Sequence, residues 1–396
     1  MRPKKIILIG GGSAALMAAE MLCAMHEVHI YEKGKTIGRK FLVAGNGGFN
    51  LTNAATDKAL YQQYTNHPIL QDALSKFDSV AMRKWLDKLG IPTFVGSSGR
   101  VFPEKGIKPI HVLQKIKDKL LKQGVKIHCL HEFIGFDASQ QPIFQHQDQK
   151  IVVQADAYIF ALGGASWSIT GSNNKWKPIF DEIKIPTINF QASNCGVEVD
   201  WATNFKTTYA GSPLKNIQIL IGQKVVKGEA LITDYGLEGN AIYPLVPAIR
   251  TALRKHQNAI YIDFKPHNSH QSLLNRIKGK RLKTKNYAYE FKLSKAQLAL
   301  IKQFTTKEVY LAPERFIEAI KHLEVPIQKL RPIEEAISTI GGISLSALEA
   351  NFSLQQYPNL FVIGEMLDWD APTGGFLLQG CFSTAATCVE HLNSSI

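Results

Sequence analysis

Short apolar runs punctuate this chain. The stretches 6–9, 27–31, 124–130, 156–161 and 360–363 are too brief for helices and rich in β-branched or aromatic residues, the pattern of strands buried inside a parallel sheet. Between the first two, a helix is predicted from Ser13 to about Met25, so the chain opens as strand, helix, strand. Leu74, Phe77, Val80, Met82, Trp85, Leu86 and Leu89 recur at helical spacing and predict one helix over 71–89, closed by Gly90 and Pro92. Further helices are predicted over 111–123 and from Phe376 to about His391. Alternating strands run to about Val153 around a glutamine-rich turn at 140–149. From about 190 the strand–helix grammar stops. Short alternating runs over 194–262 predict an antiparallel sheet or small barrel, and 266–323 turns to helical spacing.

Chemistry enters at the end of the first strand. Gly10-Gly11-Gly12-Ser13-Ala14-Ala15 leaves that strand and opens the first helix, the context in which a glycine spacing reads as a dinucleotide phosphate site. Gly10 permits the tight turn, Gly12 lets backbone N–H groups near a pyrophosphate, and Ala15 stands small in the third glycine's place. Ser13 and Ala14 begin the helix end that faces the anion. Glu32 closes the second strand, twenty positions after Gly12, where a carboxylate accepts from ribose hydroxyls and repels a 2′-phosphate. That favours FAD or NAD over NADP. A second strand–glycine–helix unit near the C-terminus, 360–377, separates FAD from a bare NAD enzyme. No second fingerprint occupies the middle of the chain, so a dedicated nicotinamide domain is not expected.

The stretch Glu32-Lys33-Gly34-Lys35-Thr36-Ile37-Gly38-Arg39-Lys40-Phe41-Leu42-Val43-Ala44-Gly45-Asn46-Gly47-Gly48-Phe49-Asn50-Leu51-Thr52-Asn53 closely resembles the HI0933-like flavoproteins of the glutathione-reductase-type FAD superfamily, in the BaiN/RdsA-like branch of NAD(P)/FAD-dependent oxidoreductases. The family usually carries an arginine–cysteine pair after this loop's Asn-Gly; here Gly48-Phe49 stands instead. The resemblance implies flavin contacts at Lys33, Arg39, Lys40, Asn46, Gly47 and Asn50, and at Phe133, where the superfamily's backbone meets the adenine. It implies others at Ala161-Leu162-Gly163, like the superfamily's Ala-Thr-Gly-Gly element, and at Gly364 and Glu365, on the ribityl chain or pyrophosphate. Gly374, Gly375, Phe376 and Leu377 begin a helix aimed at the pyrimidine edge of the isoalloxazine. Tyr235, Glu238 and Cys195, in family-like segments of the middle region, are candidate substrate contacts and the only catalytic side chains offered.

Composition trims the alternatives. Hydrophobic residues make up 45% and charged residues 20%, ordinary for a globular chain. The net charge of +13 favours anionic ligands without choosing among them. The densest basic run, 276–285, is followed by Tyr287, Tyr289 and Phe291 and could hold RNA; solvated charge is the preferred reading. The five cysteines form no C-x-x-C or zinc spacing, which argues for a reducing compartment, against a dithiol reductase and for no metal. No apolar run approaches the ~20 residues needed to span a bilayer.

The expectation is therefore an α/β chain with a three-layer Rossmann-like FAD domain over 1–188 and 332–396. An inserted β-rich domain covers 189–265 and 324–331, with a helical subdomain over 266–323, and substrate is expected where the insert covers the flavin. A cytoplasmic FAD-dependent oxidoreductase acting on a small substrate is expected, an anionic one if the net charge is a guide. Electrons would enter by transient NAD(P)H docking, from the substrate or from a protein donor. A flavin-dependent tRNA-modifying enzyme and a non-catalytic redox sensor remain the alternatives.

Overall fold

The computed structural model describes residues 2–43 and 48–394. Its centre is a six-stranded sheet in the order Ser353–Leu354, Tyr357–Val362, Ala157–Phe160, Lys5–Ile9, Glu27–Glu32, Lys126–Cys129. All neighbours pair in parallel except the Ser353–Leu354 edge. Ile6, Ile7, Leu8, Tyr158, Ile159 and Phe160 are almost wholly buried, which explains why these strands read as continuous apolar runs rather than as alternation. An antiparallel meander of Glu132–Phe136, Pro142–His146 and Gln149–Val152 lies on the sheet face that carries Tyr31 and Phe160. The Phe144 ring stacks 4.5 Å from Tyr31, and Phe133 meets Phe160 edge-on at 5.2 Å. Helices Ser13–Leu22 and Phe376–Ser394 join the same core. Alanines 14, 15, 18 and 19 are all buried, small enough for close backbone approach. Helices, parallel sheet and meander give the three layers of a Rossmann-like domain.

Two local readings change. The helix predicted over 71–89 is two, Pro68–Lys76 and Ser79–Lys88, because the Asp78 side chain accepts from the Ala81 amide at 2.8 Å and starts a new helix. Half of the glutamine-rich stretch 140–149 is the strand Pro142–His146, whose Ile143 pairs with both Gly135 and Val152, and a turn follows at 147–148. Alternation, not glutamine content, decided it: Phe144 is buried and its neighbours less so.

The chain divides into two compact units, Met1–Gln191 with Ser338–Ile396, and Ala192–Ile337. The second holds a seven-stranded sheet whose long hairpin pairs Pro213–Ile221 with Lys224–Ile232. Its helices share one core with that sheet: Leu273, Tyr287, Phe291 and Phe316 are buried in the cluster that contains Ile219, Ile260 and Ile262. The helical stretch over 266–323 is thus the cover of the sheet. The basic run lies beside it, with Lys280 bonded to Glu290 at 2.9 Å. Tyr287 and Phe291, read from sequence as stacking rings, are fully buried; Tyr289 alone of the three is exposed, at 88%.

Candidate flavin site

The site belongs to the first unit and is built where strands of the parallel sheet end. Gly10 turns with φ +99°, and a Cβ there would lie 2.5 Å from the Ala161 carbonyl oxygen, so the close approach of two parallel strand ends requires glycine. Gly12, by contrast, has open space, its nearest neighbour being that same oxygen at 4.0 Å from a placed Cβ. It caps Ser13–Leu22 without a side-chain acceptor, which leaves the first amides of the helix, at Ser13, Ala14 and Ala15, for an incoming anion. Glu32 ends its strand between two loops. Its Oε2 accepts from the Gly11 amide at 2.7 Å and its Oε1 from the Gly34 amide at 2.6 Å. Each carboxylate oxygen keeps a further lone pair for a hydroxyl.

The second glycine loop joins this first one. A Cβ on Gly364 would lie 3.0 Å from the Ala14 Cβ, and the Gly364 amide donates to Thr384 Oγ1 at 3.0 Å. Lys40, on the short helix Arg39–Val43, reaches Glu365 Oε2 at 2.8 Å and Ser166 Oγ at 2.9 Å. Glu365 Oε1 also accepts from the Thr339 amide at 3.3 Å. Arg39 donates to the Ile169 carbonyl at 2.8 Å, and Lys33 to Asn173 at 2.9 Å. Burial pushes the Lys33 ammonium below its ordinary pKa, partly offset by Glu132 and Glu32. The loop after Ala161 and Leu162 is held at Gly163, whose carbonyl accepts from the Trp176 indole at 3.1 Å. Gly375 has φ +101° and a placed Cβ 2.3 Å from the Thr52 carbonyl carbon, while Asn53 Nδ2 donates to the Gly374 carbonyl at 3.3 Å. Phe376 then starts the last helix, with its carbonyl held by the Tyr64 hydroxyl at 2.6 Å.

So the structure brings Gly10, Gly12, Ser13, Ala14, Ala15, Glu32, Gly364 and Glu365 together with Lys40. Phe133 is buried among Phe136, Phe160 and Phe180 rings. Asn50 is half-buried, its amide bonded to the Gly48 carbonyl at 2.9 Å. Asn46 and Gly47 lie outside the described residues. Sequence reading gave no role to Ser166 and Thr339, single polar residues without a motif, or to Asn53, the last residue of the family-like stretch 32–53. Among the described residues no cluster of His, Cys, Asp or Glu could hold a metal, and no helix is long and apolar enough to cross a membrane.

In the second unit the three catalytic candidates fare differently. The Tyr235 hydroxyl donates to Glu238, and the Arg331 guanidinium lies 4.2 Å over the Tyr235 ring while bonding Glu198 at 2.7 Å. Burial and then Glu238 push the Tyr235 phenol well up, and the same two causes push Tyr243 up to about 12. Cys195 is buried with Ala192, Val246 and Ala336. Tyr235 and Tyr243 keep their protons in this half-buried cluster, the chemistry of a structural hydrogen bond at least as much as of a catalyst.

An uncapped helix start, a second glycine turn that leads into a helix, a ribose-type carboxylate and a second acidic residue in one unit define a Rossmann-fold FAD-dependent oxidoreductase. The chain belongs to the HI0933-like protein Rossmann domain family, which it matches over residues 4–391. It is 24% identical to the ribosomal RNA dihydrouridine synthase of Haemophilus influenzae, over 98% of both chains. It is equally 24% identical to a 3-dehydro-bile acid delta(4,6)-reductase of Clostridium scindens, over 96% of this chain and 97% of that one. The fold is shared with 3-ketosteroid-delta4-(5alpha)-dehydrogenase from Rhodococcus jostii RHA1, with a TM-score of 0.52, 11% identity, and 98% of this chain and 96% of that one covered.

Proposed function

We propose that this protein reduces a carbon–carbon double bond conjugated to a carbonyl in a small organic substrate, with electrons drawn from a nicotinamide cofactor that docks transiently. The observation that carries the flavin half is the meeting of Gly364 with Ala14 and of Lys40 with Glu365 inside one unit. The reductive half rests on two full-length relatives. Dihydrouridine is uridine with its ring double bond saturated, and a delta(4,6)-reductase saturates double bonds in conjugation with a ketone. Their substrates differ in size, but the reacting group is the same.

Bound FAD supplies the hydride chemistry. The chain's part is to hold and orient it. The amides of Ser13, Ala14 and Ala15 would hold the pyrophosphate, Glu32 the adenosine ribose, and Glu365 the ribityl hydroxyls, with Lys40 balancing its charge. The helix start at Gly374–Leu377 would lie at the pyrimidine edge. A small substrate is favoured over RNA because burial of Tyr287 and Phe291 leaves the basic run with one exposed ring. RNA is the second reading, supported by the name of the Haemophilus relative. The five cysteines, none of them in a disulfide, suit work in a reducing compartment such as the cytoplasm.

The test is anaerobic reduction of the FAD-loaded protein with NADH and with NADPH, followed by a panel of acceptors: conjugated enones, their saturated analogues, and uridine-containing RNA. Rapid reoxidation by enones alone is the expected result. Reoxidation by RNA alone would favour the second reading, and indifference to both would refute double-bond reduction.

A further inference from the structure

The residue that no fingerprint assigns and that the fold nevertheless brings to the flavin helix is Arg100. It opens the strand Arg100–Pro103, and its register partner on the adjacent antiparallel strand is Asn53. Asn53 holds the Gly374 carbonyl, and a Cβ placed on Gly374 would lie 3.5 Å from Arg100 Nε. The guanidinium therefore rests against the turn that leads into the helix Phe376–Ser394. It is half-buried, and among the described residues neither a carboxylate nor any other hydrogen-bond partner engages it. That is unusual for arginine, whose five donors are costly to bury unanswered. A permanent cation beside the start of a helix, where amide dipoles already sum to about half a positive charge, repels what it touches unless negative charge arrives between them. No carboxylate among the described residues provides it.

We propose that Arg100 stabilises the negative charge that two-electron, one-proton reduction leaves on the N1–C2 carbonyl edge of the flavin. This deepens the function proposed above and rests on it, because it takes the pyrimidine edge to lie at Gly374–Leu377. Arg100 favours the charged, reduced form over the neutral, oxidised one. It therefore raises the flavin's reduction potential and keeps N1 deprotonated to lower pH. Asn53 is the positioning residue, since its bond to Gly374 fixes the turn that the guanidinium faces.

The experiment compares wild-type FAD-loaded protein with Arg100→Met, Arg100→Gln and Arg100→Lys. Three quantities are read: bound FAD per chain, midpoint potential across pH, and affinity for sulfite, which adds to flavin N5 and leaves the same negative edge. Full FAD occupancy is expected in every variant. Arg100→Met and Arg100→Gln should each lose about tenfold in the relative stability of the reduced form, ~30 mV for a two-electron couple. Sulfite binding should weaken to match, and the pH at which N1 protonates should rise. Arg100→Lys should recover most of the shift. Unchanged potential and sulfite affinity in FAD-bound neutral variants would overturn the role of Arg100 and leave the flavin reading standing. A wild-type chain that takes up no FAD would overturn both.

Discussion

Lys40 and Glu365 are the most consequential pair at the scale of single residues, because each has its charge only partly in water, with side-chain exposures of 31% and 16%. Removing the lysine strands the carboxylate beside the site proposed for a pyrophosphate, where negative charge is least welcome. Lys40→Met should weaken FAD binding about tenfold or more, a cost on the order of 1.4 kcal/mol, measured by fluorescence on release of the bound flavin. Equal affinity in the variant would show that Glu365 is already balanced by the Thr339 amide. Tyr235 makes the opposite case. Its proton is engaged by Glu238 and its ring by Arg331. Tyr235→Phe should cost stability, about 1 kcal/mol for the hydrogen bond lost to a half-buried acceptor, read as a lower midpoint in urea with turnover intact. Loss of turnover at unchanged midpoint would instead make Tyr235 the acid that supplies the second hydrogen.

Elements show where pattern reading succeeds and where it slips. The buried strands were legible because a strand covered on both faces must be apolar at nearly every position. The helix over 71–89 was misread as continuous because the apolar spacing of its two halves happens to run on through Phe77. A single side chain breaks it, and periodicity does not register one hydrogen bond. Asp78→Ala should destabilise the chain by about 1 kcal/mol, the usual value of such a cap, and thermal unfolding followed by circular dichroism would show it. A change indistinguishable from zero would mean that packing of Trp85 and Leu86, not the cap, sets the break. The strand 142–146, inside the glutamine-rich stretch 140–149, was hidden for a related reason. Composition suggested a turn, while the pairing that makes a strand lies with Gly135 and Val152.

At the scale of the whole molecule, the first unit holds both glycine loops and its own core, and the second unit holds another core. FAD that binds only the folded first unit should stabilise that unit by mass action, roughly 2.7 kcal/mol when free FAD is a hundred times its dissociation constant. Calorimetry of the flavin-free and FAD-loaded protein should therefore show one transition moving upward and a second staying in place. A single transition moving upward would show that the units unfold as one.

Sequence alone determined the local grammar: the order of buried strands, the glycine turn with its carboxylate at the end of the second strand, and the second glycine unit near the C-terminus. These are short-range features, set by backbone sterics and by which faces must be apolar, so they are written within a few neighbouring residues. Only the tertiary structure decided that Lys40 lies on Glu365, that Gly364 touches Ala14, that Tyr287 and Phe291 are spent in a core, and that Arg100 stands beside Gly374 with no partner among the described residues. Those contacts join residues far apart along the chain. They follow from how sheet and helices pack, a competition among long-range burial energies that no local pattern records.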